Sequence, residues 1–308
     1  MTTLFEQQRI RILGVPMDLG AATRGVDMGP SAMRIVGLGE KLQKLGYEVA
    51  DWGNITVPIR QVLPIGDPRL RYLSAIVQAN DELADKVEAA LQEGAIPLVL
   101  GGDQAISVGT IAGVSSFFRQ RRQKVGVIWF DAHADMNTPE TTPSGNIHGM
   151  PYAASLGLGA PALTNLKGFS PKLDASACTL IGVRSIDELE RNNIRDSGLH
   201  VFTMRDVDER GVRSIMETAI EIATRNTAGI LVSLDMDFFD PLHAPGVGTP
   251  VQGGASYREG HLAMEMIADT GKLVALEVVE VNPVLDTRNQ TAELAVGMIL
   301  SAFGQRIL

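Results

Sequence analysis

The sequence predicts an α/β fold built on a mostly parallel sheet, and three observations support that expectation. Apolar, β-branched runs recur along the chain, amphipathic segments lie between them, and neither a low-complexity linker nor an internal repeat breaks the alternation. Parallel strands need helical crossovers, and those helices cover both faces of the sheet. With 308 residues, 45% of them hydrophobic, the chain is long enough for a large core, and residues 1–308 are expected to form one domain.

Taken in order, the strand-like runs are Ile10–Val15, Tyr47–Trp52, Ile96–Leu100, Val125–Phe130, Ala177–Val183, Leu199–Met204, Gly229–Leu234 and Leu273–Val279, about eight in all. Those leading to Phe130 and Leu234 are apolar almost throughout, as strands buried on both faces should be. The clearest helical segments are 69–94 and 211–227, where apolar residues return at helical spacing.

Composition narrows the function classes. A net charge of −9 argues against a general nucleic-acid binder. Cys178 is the only cysteine, so no intrachain disulfide can form and a reducing compartment is expected. Residues 1–10 include Glu6, Gln7, Gln8 and Arg9 and no apolar leader, and no segment has the uninterrupted apolar length of a membrane span. A soluble, cytoplasmic protein is expected.

Chemistry gathers where the strand runs end. Asp131, His133 and Asp135 alternate after Phe130, and in an extended backbone alternate side chains share a face, so the three can converge if the chain there stays roughly extended or curls slightly. Carboxylates mixed with one imidazole suit Mn²⁺, Co²⁺, Ni²⁺ or Zn²⁺ better than Ca²⁺. Asp235 and Asp237 repeat the pattern after Leu234. Parallel strands present their C-terminal ends at one sheet edge, where the two clusters can meet. Four ionised carboxylates at one point require cations, and two dications would balance them and activate a bridging water, with Asp131 and Asp235 placed to bridge. The competing reading is an ordinary solvated acidic loop.

Three other loops carry signals, each with a plain structural alternative. Gly101–Gly102–Asp103–Gln104–Ala105 is a glycine turn that lets backbone approach a site, or simply a strand-to-helix turn with Asp103 near a helix start. The stretch 141–151 is rich in hydroxyls and amides suited to a carboxylate, and its His148 can move protons near neutral pH, or is simply a loop histidine. Glu280, after Val279, can pair with a planar cation in a bidentate fork, or stand exposed at a strand end.

Together these motifs resemble the ureohydrolases, most closely the arginases. The resemblance rests on Gly101–Gly102–Asp103, Asp131–Ala132–His133–Ala134–Asp135, Ser144–Gly145–Asn146–Ile147–His148–Gly149, Asp235–Met236–Asp237 with Asp240–Pro241, Gly248–Thr249–Pro250 and Glu280–Val281–Asn282–Pro283, in that order. Gly14–Val15–Pro16, Arg24–Gly25–Val26 and Gly29–Pro30 extend it over nearly the whole chain.

The resemblance implies a three-layer α/β/α sandwich, a cofactor of two Mn²⁺ per subunit, and hydrolysis of L-arginine to L-ornithine and urea by a metal-bridging hydroxide. It assigns Asp131 and Asp235 as bridges, His133 and Asp237 to one metal and Asp135 to the other. His148 and Asp237 would carry protons, and Glu280 with Thr249 would face the guanidinium. Asn137, Thr142, Ser144 and Asn146 match positions that hold the α-carboxylate, and Asp187 one that receives the α-amino group, which favours arginine over agmatine. A homotrimer or homohexamer is expected.

This chain departs from the family pattern at the metal. Gln104 and Ala105 stand where arginases have histidine and serine, so the Gln104 metal site should be the weaker one, and other divalent metals remain open. Phe238 places a large ring beside Asp237, and is expected to reshape the pocket; His243 is expected as an exposed loop residue. The departures leave two alternatives: a ureohydrolase of another small guanidino compound, or a catalytically reduced subunit of a mixed oligomer.

Overall fold

The computed structural model describes residues 9–306, so most of the segment read as lacking an apolar leader lies outside it. Eight strands form one sheet: β1 (Arg9–Val15), β2 (Glu48–Asn54), β3 (Ile96–Gly101), β4 (Gly126–Phe130), β5 (Cys178–Val183), β6 (His200–Thr203), β7 (Ile230–Asp235) and β8 (Leu273–Val279). Their order is β2-β1-β3-β8-β7-β4-β5-β6, and every pairing is parallel.

Side chains alternate across this sheet and build two cores. In β4, Ile128 and Phe130 face one core while Val127 and Trp129 face the other. The first core is covered by α1 (Gly29–Ile35), α2 (Leu38–Lys44), α8 (Met204–Thr224), α9 (Tyr257–Asp269) and α10 (Gln290–Ala302). Against the second pack α3 (Leu73–Gln92), α4 (Ser107–Gln120), α5 (Pro151–Ser155), α6 (Pro161–Thr164) and α7 (Glu190–Ser197). The result is the expected three-layer sandwich. Among the described residues, no helix is long and apolar enough to cross a membrane.

Helix boundaries differ from those read in the sequence, for local reasons. The helix expected from residue 69 begins at Leu73, because the Asp67 carboxylate caps the Arg69 N–H in a turn and Tyr72 lies at φ 57, outside helical geometry. The helix expected from Gly211 begins at Met204, where Thr203 and Asp206 form a reciprocal capping box. That cap also ends the sixth strand at Thr203. Gly211 is a break within α8, at φ 74.

Candidate active site

Strand register sets the site. Phe130 pairs with Leu234 and Leu234 with Val278, so Asp131 and Asp235 leave adjacent strands at one level. Two residues earlier, Trp129, Ser233 and Glu277 lie side by side on the face covered by α4. Trp129 Nε1 donates to Asp131 Oδ2 at 3.1 Å, which holds that carboxylate from below.

Asp131, His133 and Asp237 offer ligand atoms within 4.8 Å of one another. His133 Nδ1 lies 3.0 Å from Asp237 Oδ2 and 3.5 Å from Asp131 Oδ1. Asp237 also accepts from the Ala132 N–H and the Thr249 hydroxyl, while Asp235 Oδ1 takes the Asp237 N–H at 2.7 Å. Asp135 and Asp235 stand outside this tight trio but line the same cavity.

Of the two courses open to Asp131–Asp135, extended or curled, the chain takes the curl. Asp135 sits at φ 54, a left-handed conformation that Asp tolerates better than most residues, and its carbonyl accepts the N–H groups of Tyr152 and Ala153 in the first turn of α5. The chain thus curls to bring Asp135 to the cavity. Glu280 is also left-handed, at φ 62, with its N–H bonded to the Gly102 carbonyl.

The cavity measures about 110 Å³ and is lined by Gln104, His133, Asp135, Asn137, Thr142, Ser144, Asn146, His148, Asp187, Glu190, Asp235 and Thr249, among others. Asp131, Asp237 and Glu280 lie buried behind this lining, each bonded to one of its members. A larger cavity of about 740 Å³ opens by Arg119, Phe169, Lys172 and Asp196, but holds none of the acidic cluster. Chemistry, not size, singles out the smaller one.

Within it, Thr142 Oγ1 accepts from the N–H groups of Ser144 and Gly145, and Ser144 Oγ from that of Asn146, so the loop is folded around its own hydroxyls. Asn137 Nδ2 donates to Asp187 Oδ2 at 2.9 Å. His148 Nδ1 and the Gln104 N–H both reach Glu280 Oε1, at 3.2 and 2.9 Å.

Two expectations are corrected. Phe238 does not enter the cavity: its ring packs on Phe130 and Phe239 and against Gly182, in the opposite core, because the turn at Met236–Phe238 rotates it beneath the sheet edge. His243 is half-buried rather than exposed, and lines a different cavity with Lys41, Tyr257 and Glu293.

Charge at the site is unbalanced. Burial raises the pKa values of Asp131, Asp135 and Asp235, and neighbouring carboxylates raise them further. Burial alone would lower His133, but Asp237 and Asp131 push it up to about 12. Burial would likewise raise Asp237, yet His133 outweighs it and holds this carboxyl below its ordinary range. One imidazolium cannot neutralise four carboxylates; dications can.

The donor set fits such ions. Gln104 Oε1 and Asp135 Oδ2 are buried oxygens with no hydrogen-bond partner, and leaving a buried acceptor unpaired costs about 1–3 kcal/mol. Carboxylates, a carbonyl and one imidazole form a hard, oxygen-rich set suited to Mn²⁺.

Sequence reasoning missed Glu190. It is 3% exposed, accepts the N–H groups of Met136 and Asp187 at 2.8 and 3.2 Å, and so ties the Asp135 loop to the Asp187 loop. Burial pushes its carboxyl up to about 7. Nothing in the residues around Asp187 marks it out in the sequence. Trp129 was legible in principle, since it shares a strand face with Asp131.

The family model described as the arginase family matches residues 8–304. The chain is 52% identical to the arginase of Bacillus caldovelox over 300 residues, covering 97% of this chain and 99% of that protein. The solved structure of the Bacillus caldovelox arginase superposes with a TM-score of 0.93 at 51% identity, over 98% of this chain and 100% of that one. Entamoeba histolytica arginase, solved in complex with L-ornithine, superposes with a TM-score of 0.88 at 33% identity, over 98% and 100%. The order of motifs, the parallel sheet that brings them to one edge and these likenesses agree: the chain belongs to the arginase family and is a hydrolase of the ureohydrolase type.

Proposed function

We propose that this enzyme hydrolyses the guanidinium group of L-arginine to L-ornithine and urea, with two Mn²⁺ per subunit. The observation that carries this reading is one small cavity with the acidic cluster at its base and Asn137, Thr142, Ser144, Asn146 and Asp187 around it. Hydroxyls and amides suit an α-carboxylate and Asp187 an α-amino group, whereas agmatine has no carboxylate to use the first set. The ornithine complex of the Entamoeba histolytica arginase supports the same substrate class.

Asp131, His133, Asp235 and Asp237 would hold one ion, and Asp131, Asp135, Asp235 and Gln104 the other. When bound, two such cations supply a water acidic enough to serve as nucleophile near neutral pH. Glu280 is positioned by the Gln104 N–H and by His148, leaving its Oε2 for an N–H of the guanidinium. Thr249 bonds Asp237 Oδ2 and holds that carboxylate beside His133. His148 has Nδ1 committed to Glu280, so Nε2 is the atom that carries a proton to the departing amine, with Asp237 as a second carrier. A folding unit of residues 1–308, assembly as a homotrimer or homohexamer and a cytoplasmic location complete the proposal.

The test is urea release from arginine, agmatine and simple guanidines by Mn²⁺-loaded protein. Arginine should be cleaved with the highest kcat/KM. Preference for agmatine would overturn the substrate assignment while leaving the hydrolase reading intact.

A further inference from the structure

Gln104 is held by a chain of hydrogen bonds with a defined direction. Its Nε2 carries two protons, and both are used: one goes to Ser107 Oγ at 2.7 Å, the other to Ser233 Oγ at 3.0 Å. Ser107 in turn gives its own hydroxyl proton to Glu277 Oε1. A serine whose proton is committed elsewhere can only accept from a neighbouring amide. With the Glu277 carboxylate ionised, Ser107 meets the nitrogen of Gln104 and not its oxygen. The backbone is fixed as well, through the bond from the Gln104 N–H to Glu280.

The consequence falls on Oε1. It is the one polar atom of the Gln104 side chain without a partner, in a residue 1% exposed that lines the cavity. Glu277 is 0% exposed, among strand residues otherwise apolar, and Ser233 is its register partner on β7. A carboxyl and two hydroxyls in that dry layer are costly unless they have work to do.

We infer that Ser107, Ser233 and Glu277 are positioning residues that lock the Gln104 amide in the one orientation presenting its carbonyl oxygen to a divalent cation. An amide free to flip has to be turned oxygen-first by the cation itself, at a cost in affinity, and a glutamine is then a poor substitute for an imidazole. With the flip excluded, it is a fixed oxygen ligand. The inference rests on the proposed assignment of Gln104 as a ligand of the second ion and adds what makes that ligand competent.

Glu277→Gln tests the direction itself. It nearly preserves shape, but its amide can donate to Ser107, which frees the serine proton for Gln104 Oε1 and permits the flipped amide. Mn²⁺ binding to the full chain would be followed by calorimetry and by the electron paramagnetic resonance signal of the coupled ion pair, for Gln104→Ala, Ser107→Ala, Ser233→Ala and Glu277→Gln, and for the last three combined with Gln104→Ala. Thermal unfolding of the metal-free proteins would report on folding separately.

Each of the three positioning variants should weaken the second ion roughly 10- to 100-fold, the usual cost of losing support for a ligand, reduce the coupled signal at limiting Mn²⁺, and have no further effect once Gln104 is alanine. If Gln104→Ala leaves the second ion unaffected, the ligand assignment falls and this inference with it. If Gln104→Ala weakens that ion but the other variants do not, or weaken it equally in both backgrounds, the ligand assignment stands and the positioning role is overturned.

Discussion

Gly145→Ala is a one-methyl perturbation of the loop assigned to the substrate carboxylate. Gly145 lies at φ 72, and an added Cβ would stand 1.8 Å from the Pro68 carbonyl oxygen and 2.8 Å from its carbon. Cβ atoms do not approach other heavy atoms closer than 3.0 Å, so the loop or the Pro68 backbone must move by more than about 1 Å. A left-handed φ costs a residue with a Cβ roughly 1–2 kcal/mol in addition. The same residue accepts the Arg71 N–H through its carbonyl, so displacement also strains the bond that anchors the loop to the approach of α3. Ser144 and Asn146 flank it and line the cavity. Because losing a hydrogen bond to a charged group costs about 1.5–3 kcal/mol, roughly 10- to 100-fold in binding, kcat/KM for arginine should fall by about that factor, chiefly through KM. Steady-state urea release from arginine and agmatine, with Mn²⁺ content measured in parallel, checks this. An unchanged KM for arginine, or a loss of Mn²⁺ equal to the loss of activity, would refute the assignment of this loop to the substrate.

Three further outcomes follow. Ser144→Ala removes a hydroxyl whose oxygen already accepts the Asn146 N–H and whose proton is left for a carboxylate; arginine use should weaken by about the 1.5–3 kcal/mol of a charged hydrogen bond while agmatine use changes little, measured as a ratio of kcat/KM values. Gln104→His should tighten the second ion and raise urea release at low Mn²⁺, since imidazole binds mid-row metals better than an amide; calorimetric titration of both forms checks it. Cys178 is 0% exposed and burial pushes its thiol up to about 12, so the folded protein should not react with a thiol-exchange reagent at pH ~8 and the denatured chain should react with one equivalent, because the thiolate is the nucleophile.

Much of the fold was legible because its strands are buried on both faces. All eight strand runs read from the sequence overlap strands of the sheet, and those ending at Phe130 and Leu234 deliver Asp131 and Asp235 to one edge as expected. What periodicity could not give was backbone detail. Asp135 reaches the cavity through a left-handed residue, which a strict two-residue repeat does not anticipate. Phe238 read as a pocket residue because it follows Asp237, but a single turn of 3₁₀ helix at Met236–Phe238 sends it into the opposite core. Glu190 was invisible for a different reason: its partners are the backbone N–H groups of Met136 and Asp187, and backbone donors leave no mark in a sequence. The same holds for the direction of the Gln104 amide, which depends on three residues on three elements.

The acidic cluster should hold two cations of unequal affinity, both of them needed for hydrolysis. Equilibrium dialysis of metal-free protein against Mn²⁺, with urea release from arginine measured on the same samples, tests it most directly. Two ions per chain should bind in separate steps, and urea release should follow occupancy of the weaker site, since both cations are required to make the attacking water acidic near pH ~7. Full activity with a single ion bound, or activity that persists when Mn²⁺ is removed by a chelator, would rule out a two-cation hydrolase.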